Sequence, residues 1–250
     1  MNRTVFITGA TSGIGKATAI LFAENGFNII ICGRRKERLK ELQEQLSQKV
    51  KVFSLCFDVS KKEEVVYAIN SLPEQFKHID ILVNNAGNAH GLSPIDKGSV
   101  EDWDNMIDIN VKGLLYVTKA IVPYMVKANN GHIINIGSIA GKEVYTNGNV
   151  YNASKFAVDA LGKGMLMDLN PYGIKVSNIN PGLVETEFSL VRFKGDNERA
   201  SNVYKGYQPL TAEDVAATIF WVATQPKHVN VSDLTILPIA QASATIVNKL

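Results

Sequence analysis

Short runs of β-branched and other apolar residues alternate with helix-length segments along this chain of 250 residues. Seven of these runs are predicted to be strands, at 4–8, 28–32, 50–57, 79–83, 132–136, 175–179 and 234–237. A run such as the three isoleucines at 29–31 is typical of a parallel sheet that is covered on both faces. Parallel strands joined through helices require right-handed crossovers. The sequence therefore predicts an α/β fold, with a doubly wound parallel sheet of seven strands flanked by helices on both faces.

Helical periodicity fills the spaces between these strands. Leu39, Leu42 and Leu46 share one face of a helix at 37–48, and longer helical stretches are predicted at 100–126 and 150–169. The quartet Ser60-Lys-Lys-Glu63 matches a capping box, and Thr211-Ala-Glu-Asp214 opens another helix that runs to residue 224.

One connection, at 182–209, is too long for an ordinary turn in a compact domain, and connections of that length are usually functional. We find no repeat, charge block or Pro/Ser-rich linker where a domain boundary would fall. The prediction is therefore a single domain over 1–250, with a lid at about 183–209.

Charge and cysteine content exclude several classes of function. The chain has 26 Lys and Arg against 24 Asp and Glu, a net charge of +2, which is far from the excess that nucleic-acid binding requires. Two cysteines cannot build a disulfide framework or a four-ligand zinc site, and the four histidines are scattered, so no metal is expected. There is no apolar run of ~18 residues and no signal-peptide pattern. We expect a cytoplasmic protein without nucleic-acid or membrane partners.

The strongest local motif is a glycine-rich turn between the first predicted strand and the first helix. It reads Thr8-Gly9-Ala10-Thr11-Ser12-Gly13-Ile14-Gly15. Glycines allow a tight turn and a close approach of backbone to phosphate, and the helix N-terminus favours an anion. The spacing differs from the standard Gly-x-Gly-x-x-Gly, and an ordinary glycine-rich turn is the alternative. Alone, the motif indicates a dinucleotide but no reaction.

The end of the second strand indicates which dinucleotide is bound. An NAD site usually has a carboxylate there for the ribose 2′-hydroxyl, whereas this chain has Arg34 and Arg35. Two guanidinium groups suit a 2′-phosphate, so the sequence predicts NADP, the alternative being a solvated helix start. Asp58, at the end of the third strand, either contacts the adenine or caps a helix.

Three residues have the chemistry of an acid/base site. Tyr151 and Lys155 are four apart on a predicted helix, so they share a face, and Ser138 follows a strand at the edge where α/β sheets bind ligands. A lysine ammonium beside the phenol would lower the pKa of the tyrosine from about 10 towards neutrality. The Ser138 hydroxyl could hold a carbonyl or alkoxide oxygen. A chance Tyr-x-x-x-Lys is the alternative.

Taken together and in order, these motifs resemble the short-chain dehydrogenase/reductase family of the compact, single-domain type. The motifs are the glycine turn, Asn84-Asn85-Ala86-Gly87, Asn110, Ser138, Tyr151 with Lys155, and Pro181-Gly182. The resemblance implies a Rossmann-type sheet, hydride transfer between a nicotinamide and a carbonyl or alcohol, and a homotetramer.

The resemblance also implies roles for single residues. Tyr151 would be the general acid/base, Ser138 would orient the substrate oxygen, Lys155 would bind the nicotinamide ribose, and Asn110 would support a proton relay through water. Residues expected to bind the cofactor are Gly9, Ala10, Thr11, Ser12, Gly13, Ile14, Gly15, Arg34, Arg35, Asp58, Val59, Asn85, Ala86, Gly87, Tyr151, Lys155, Pro181, Gly182, Val184 and Thr186.

A finer resemblance concerns the substrate. The segments PGLVETEF at 181–188, VRFKGD at 191–196 and HVN at 228–230 are similar to the NADP-dependent 3-hydroxy acid dehydrogenase branch, which acts on serine, allo-threonine and small aldehyde acids. A short acid needs a cation for its carboxylate, and Arg192 lies in the predicted lid. We expect Ser138, Tyr151 and Arg192 to contact the substrate, with a solvated Arg192 as the alternative.

Two other functions stay open on the sequence alone. The first is a 3-oxoacyl-carrier-protein reductase or a broad carbonyl reductase, although such reductases end their last strand with glycines and this chain reads LPIAQ at 237–241. The second is a regulator that binds NADP without catalysis, which would not need an intact Ser138, Tyr151 and Lys155.

Overall fold

The computed structural model describes residues 2–249, and within them the chain forms one sheet of seven parallel strands. The strand order is β3-β2-β1-β4-β5-β6-β7, which is the doubly wound arrangement that the sequence predicted. The strands are β1 (Thr4–Ile7), β2 (Asn28–Gly33), β3 (Val52–Cys56), β4 (Ile81–Asn84), β5 (Gly131–Ile136), β6 (Ile174–Pro181) and β7 (Asp233–Ile236). The predicted fold class is confirmed. The prediction of one domain over 1–250 stays a prediction, and its two end residues lie outside the described part.

Helices connect the strands and cover both faces of the sheet. They are α1 (Gly13–Glu24), α2 (Lys36–Leu46), α3 (Lys62–Asn70), α4 (Val100–Ile107), α5 (Leu114–Ala128), α6 (Asn149–Leu169), α7 (Phe188–Arg192), α8 (Asn197–Asn202) and α9 (Ala212–Ala223).

The two cores lie on opposite faces of the sheet, and β2 shows how one strand supplies both. Ile29 and Ile31 point into the core beneath α1 and α9, while Ile30 points into the core beneath α3 and α5. Successive side chains of a strand alternate between faces, so an uninterrupted apolar run is what a doubly covered strand requires. Each isoleucine is fully buried, which stabilises the fold by about 1.5–3 kcal/mol per side chain.

Two helix predictions are corrected by the structure. The expected capping box at Ser60 and Glu63 is absent: α3 begins at Lys62, and the Ser60 hydroxyl instead donates to Asp58 at 2.8 Å. The Asp58 carboxylate also accepts from the backbone N–H of Ser60, and this local turn removes Ser60 from the helix end. By contrast, the second quartet forms a complete capping box, in which Thr211 and Asp214 exchange hydrogen bonds.

The helical stretch predicted at 100–126 is not one regular helix. A π-helical turn, Asp108–Gly113, separates α4 from α5, and Asn110 lies inside it. Such turns often occur at functional sites, because the inserted residue interrupts the regular hydrogen bonds of the α-helix. Periodicity alone gives no signal for one inserted residue.

The predicted lid also has structure of its own, since α7 and α8 both lie within 183–209. Its two ends are joined at the sheet edge, where Leu210 exchanges backbone hydrogen bonds with Leu183 and Glu185. The lid is therefore anchored at its base and projects over the carboxyl ends of the strands.

Among residues 2–249, no helix combines the length and apolarity needed to cross a membrane. The same residues contain no group of three or more His, Cys, Asp or Glu side chains placed to hold a metal ion.

Candidate active site

A cleft of about 540 Å³ opens at the carboxyl ends of the strands, where the sheet order reverses beside β1 and β4. Open α/β sheets place their ligands at this switch point. Nearly all of the predicted site residues line the cleft, although they come from distant parts of the chain. The three that do not line it are Ala10, Gly15 and Asn110.

The glycine turn packs tightly against the loop after β4. Gly9 and Gly13 have positive φ angles of 65° and 51°, which favour glycine. A Cβ on Gly15 would collide with the backbone of Gly9 and with the Asn85 amide, so only glycine fits. Ser12 precedes α1 with extended backbone and no side-chain cap, which leaves the N–H groups of the first turn facing the cleft. These features fit a pyrophosphate at the helix N-terminus.

Thr8 connects the glycine turn to the next loop. Its hydroxyl accepts hydrogen bonds from the backbone N–H groups of Asn85 at 2.9 Å and Ala86 at 2.8 Å, and Asn85 donates back to the Thr8 carbonyl. The two loops that border the middle of the cleft are therefore one rigid unit.

The two arginines at the end of β2 have different surroundings. Arg34 is 65% exposed in its side chain and makes one weak contact, 3.5 Å from Asp58. Arg35 instead lies over the glycine turn, where its guanidinium donates to the hydroxyls of Thr11 and Ser12 at 2.7 Å. A guanidinium held beside the cleft wall fits a 2′-phosphate, and Arg35 meets that requirement better than Arg34.

A carboxylate already faces this arginine. Glu187, at the start of the lid, accepts a hydrogen bond from Arg35 at 2.8 Å and another from Arg38 at 2.7 Å. The two guanidiniums hold the pKa of Glu187 below its ordinary value, so it is ionised at neutral pH. Arg38 was not predicted, although its position one turn into α2, three residues after Arg35, was a usable signal.

Asp58 does not cap α3, whose N-cap residue is Lys61, and lies beside Arg34 at one end of the cleft. Partial burial raises its pKa, but hydrogen bonds from Ser60 and the charge of Arg34 outweigh that effect and the net shift is downward. Asp58 is therefore an ionised acceptor, and it lines the cleft together with Val59.

Ser138, Tyr151 and Lys155 meet at the other end of the cleft, as the spacing predicted. Ser138 follows β5 and caps a short 3-10 turn, its oxygen accepting from the Ala140 N–H at 3.1 Å. Tyr151 and Lys155 lie one turn apart on α6, and the Lys155 Nζ is 5.9 Å from the centre of the Tyr151 ring. The same ammonium donates to the Ile136 carbonyl at 2.9 Å, which fixes it at the wall of the cleft.

The expected lowering of the Tyr151 pKa is wrong for this structure. Burial is the largest effect and raises the pKa, a nearby Tyr145 raises it further, and Ser138 and Arg192 lower it only in part. Burial also lowers the pKa of Lys155 to about 8. The sequence cannot reveal this balance because it depends on how completely α6 is covered.

Asn110 lies behind the cleft and joins three segments. Its amide nitrogen donates to the Asn88 carbonyl at 2.9 Å and to the Ser154 hydroxyl at 3.0 Å, and its oxygen accepts from the Asn88 N–H at 2.8 Å. A Cβ on Gly87 would stand 3.2 Å from the Asn110 oxygen and 3.6 Å from the Lys155 Nζ. Asn110 therefore holds the loop after β4 against the part of α6 that carries Ser154 and Lys155.

Arg192, at the end of α7, points from the lid into the same site. Its guanidinium carbon lies 5.4 Å from the centre of the Tyr151 ring and 5.5 Å from that of Tyr145. It donates to the Tyr145 hydroxyl at 2.9 Å and to the Gly91 carbonyl at 3.2 Å. Arg192 is thus a held, half-buried cation rather than a solvated loop residue.

Two further residues of the site were missed by sequence reasoning. Tyr145 lies in a loop without a motif, and only its distance of six residues from Tyr151 hinted at proximity. Gln241 is buried and accepts from the Leu183 N–H at 2.8 Å, next to Gly182, where a Cβ would meet the Gln241 side chain. Gln241 therefore supports the wall that Pro181, Gly182, Val184 and Thr186 form along the cleft.

Comparison with known proteins agrees with this geometry. The family model for short chain dehydrogenase matches residues 3–196. The chain therefore belongs to the short-chain dehydrogenase/reductase family and is an oxidoreductase, which confirms the family and the enzyme class that the motifs predicted.

Among curated relatives, an NADP-dependent 3-hydroxy acid dehydrogenase of Salmonella typhi is 48% identical over 241 residues, 96% of each chain. A serine 3-dehydrogenase of Agrobacterium fabrum is 43% identical over 244 residues, 98% of this chain and 97% of the relative. A solved structure described as the closed form of serine dehydrogenase complexed with NADP⁺ superimposes with a TM-score of 0.93 at 45% identity, covering 97% of this chain and 98% of the other.

Proposed function

We propose that this oxidoreductase transfers a hydride between NADP(H) and a small 3-hydroxy acid, of the kind represented by serine, allo-threonine and 3-hydroxypropionate, or the matching semialdehyde or keto acid. One observation carries the proposal: the Arg192 guanidinium stands beside the Tyr151 phenol in one cleft, 5.4 Å from its ring centre. A cation next to an acid/base suits a substrate with a carboxylate near its reacting hydroxyl. The relatives named for hydroxy acids and serine support the same conclusion.

NADP is the cofactor, as the sequence predicted: the Salmonella typhi relative is named for NADP dependence, and the similar serine dehydrogenase structure is a complex with NADP⁺. We propose that the turn from Gly9 to Gly15 binds its pyrophosphate, that Arg35, with Arg34 at its edge, receives the 2′-phosphate, and that Lys155 holds the nicotinamide ribose. The adenine end lies at Asp58 and Val59, and the nicotinamide end lies along 85–87 and 181–186. When bound, NADP⁺ accepts a hydride from the substrate carbon and NADPH donates one to it.

The protein's own groups handle the proton. In reduction, the Tyr151 hydroxyl donates its proton to the substrate carbonyl oxygen, and Ser138 Oγ donates a hydrogen bond to that oxygen. The raised pKa of Tyr151 keeps the phenol protonated at neutral pH, and the protonated form is the one that reduction requires. In oxidation the phenolate takes the hydroxyl proton, and the Lys155 cation stabilises that phenolate. Asn110 supports the relay that returns protons to solvent.

The two alternatives are less well supported by the site. A carrier-protein reductase acts on a neutral thioester, so the reacting part of its substrate offers no anionic group for the Arg192 guanidinium to bind. A regulator without catalysis would need the cofactor cleft but not the convergence of Ser138 and Lys155 on Tyr151.

Replacing Tyr151 with Phe tests the proposal. We expect turnover to fall by about 10³-fold or more, since the proton donor is removed, while NADPH binding measured by fluorescence titration is retained. Tyr67, which is exposed on α3 and does not line the cleft, offers a matched control in Tyr67→Phe, which should leave turnover unchanged. Undiminished turnover in Tyr151→Phe would mean that another group moves the proton.

We also propose a cytoplasmic homotetramer. Leu115 on α5 and Phe156 and Met167 on α6 leave apolar side chains exposed on adjacent helices, which suits a helix-to-helix interface between copies. Cys32 and Cys56 are both free thiols, as is usual in a reducing compartment. Sedimentation velocity of the wild type and of Phe156→Glu tests the assembly, which should dissociate in the variant.

A further inference from the structure

Glu187 occupies the position between Arg35 and Arg38 that an anion would take. Its two oxygens are both engaged: Oε2 accepts from Arg35 at 2.8 Å, and Oε1 accepts from Arg38 at 2.7 Å. Arg38 also reaches Oε2 at 3.0 Å, so a single carboxylate bridges two guanidiniums. Two forked cations around one anion is the arrangement in which arginine binds a phosphate.

The remaining donors of Arg35 are also in use. Its Nε donates to Thr11 Oγ1 at 3.0 Å, and its Nη2 donates to Thr11 and Ser12. The Nε–Nη2 edge of the guanidinium therefore faces the glycine turn, and Nη1 is directed to Glu187. An incoming 2′-phosphate has to share or replace that carboxylate, because two anions on one edge repel each other.

We propose that Glu187 is an internal competitor for the 2′-phosphate, and that it sets the affinity and the release of NADP(H). Without the phosphate, Glu187 is hydrogen-bonded to both Arg35 and Arg38. When the phosphate binds, Glu187 loses at least its hydrogen bond to Arg35 Nη1. This inference rests on the proposed role of Arg35. It adds a residue that weakens the binding of NADP(H) specifically, and NAD(H) lacks the group that would compete.

The position of Glu187 in the chain gives this competition a second consequence. Glu187 immediately precedes α7, and Arg192 ends the same helix. One end of this five-residue helix is thus bound to the 2′-phosphate subsite, and the other end is bound to Tyr145 at the substrate site. Release of Glu187 frees the first end of α7 while Arg192 retains its contacts at the second.

The experiment measures binding by calorimetry with two probes that differ by one phosphate, adenosine 2′,5′-bisphosphate and adenosine 5′-monophosphate, and then with NADPH and NADH. The variants are Glu187→Gln, Arg35→Gln and the matched control Glu185→Gln. Glu185 lies two residues earlier in the same segment and is exposed, so its replacement changes the charge equally without touching Arg35.

In Glu187→Gln we expect the bisphosphate and NADPH to bind about three- to tenfold more tightly, since one ionic competitor is removed. The monophosphate and NADH should bind as in the wild type, and Glu185→Gln should change none of the four affinities. Unchanged or weaker bisphosphate binding in Glu187→Gln would overturn the inference, because Glu187 would then organise the subsite rather than compete for it.

Arg35→Gln separates this inference from the proposed function. It should remove most of the preference for the bisphosphate over the monophosphate. If that preference persists, the assignment of Arg35 to the 2′-phosphate is wrong. If the preference is lost but Glu187→Gln does not tighten binding, only the competitor role of Glu187 is wrong.

Discussion

The guanidinium carbon of Arg192 lies 5.4 Å from the centre of the Tyr151 ring. Arg192 comes from the lid, whereas Tyr151 lies on α6, the longest helix of the described chain. The relationship places a held cation beside the proposed proton donor. It also means that the lid must be in place for the two groups to meet on one substrate.

Replacing Arg192 with Gln should raise the KM for 3-hydroxypropionate by about 10- to 100-fold, because a charge-assisted hydrogen bond to the carboxylate is lost. The KM for 1,3-propanediol, which carries a neutral group in place of the carboxylate, should change little. Steady-state kinetics with both substrates measure the difference. Arg199→Gln, which removes the exposed lid arginine stacked on Phe193, is the matched control. Equal effects on both substrates would contradict a carboxylate role for Arg192.

Tyr145→Phe should raise the KM for the acid by about three- to tenfold, since Arg192 loses the hydroxyl that fixes its Nη2. Because Tyr145 acts through Arg192, the KM of the double variant Tyr145→Phe/Arg192→Gln should be no higher than that of Arg192→Gln alone. A double-mutant cycle on KM measures this coupling, with Tyr172→Phe, on an exposed turn, as the control. Additive losses would show that Tyr145 does not act through Arg192.

Lys155→Met should abolish turnover while stabilising the fold at neutral pH. Burial lowers the pKa of Lys155 to about 8 in the folded protein, so holding its charge destabilises the folded state below that pH. This destabilisation is relieved as pH rises from 8 towards the unfolded value of about 10.4.

We expect Lys155→Met to raise the free energy of unfolding by about 1 kcal/mol at pH 7, after allowance for the lost hydrogen bond to Ile136, and by less at pH 10. Urea unfolding at the two pH values measures it, with the exposed Lys119→Met as control. If the free energy of unfolding gained by Lys155→Met over wild type were smaller at pH 7 than at pH 10, the lowered pKa of Lys155 would be contradicted.

The pH dependence should differ between the two directions of reaction. Oxidation needs the Tyr151 phenolate, and the raised pKa of Tyr151 keeps that form scarce, so kcat/KM for oxidation should rise from pH 6 to pH 8. Above about pH 8 the rise should level off, because Lys155 loses the proton whose charge favours the phenolate. Reduction should show no such rise. A flat profile for oxidation would remove Tyr151 as the base.

The fold and much of the site follow from local sequence patterns. The seven strands, the glycine turn and the pair Tyr151–Lys155 each depend on spacing within a few residues, and spacing is visible in a sequence. The contacts that the lid makes at the two ends of the cleft do not have this property. Arg192 meets Tyr145 across 47 residues, and Glu187 meets Arg35 across 152, so only the folded lid brings them together.

The corrections have a similar origin. The π-helical turn at Asn110 differs from a regular helix by one inserted residue, which apolar periodicity does not register. Ser60 fits the sequence pattern of a capping box, but in the structure its hydroxyl donates to Asp58, two residues earlier, instead of capping α3. The pKa of Tyr151 depends on burial by segments that are distant in sequence, so a nearby lysine was not enough to predict its direction.

The most direct measurement is a spectrophotometric panel that follows NADP(H) at 340 nm with the wild-type protein, using serine, 3-hydroxypropionate, 3-hydroxyisobutyrate and an acetoacetyl thioester. The proposed function predicts NADP⁺ reduction with at least one of the three acids, and weak or absent NADPH oxidation with the thioester. Strong turnover of the thioester together with no activity on any of the three acids would contradict it.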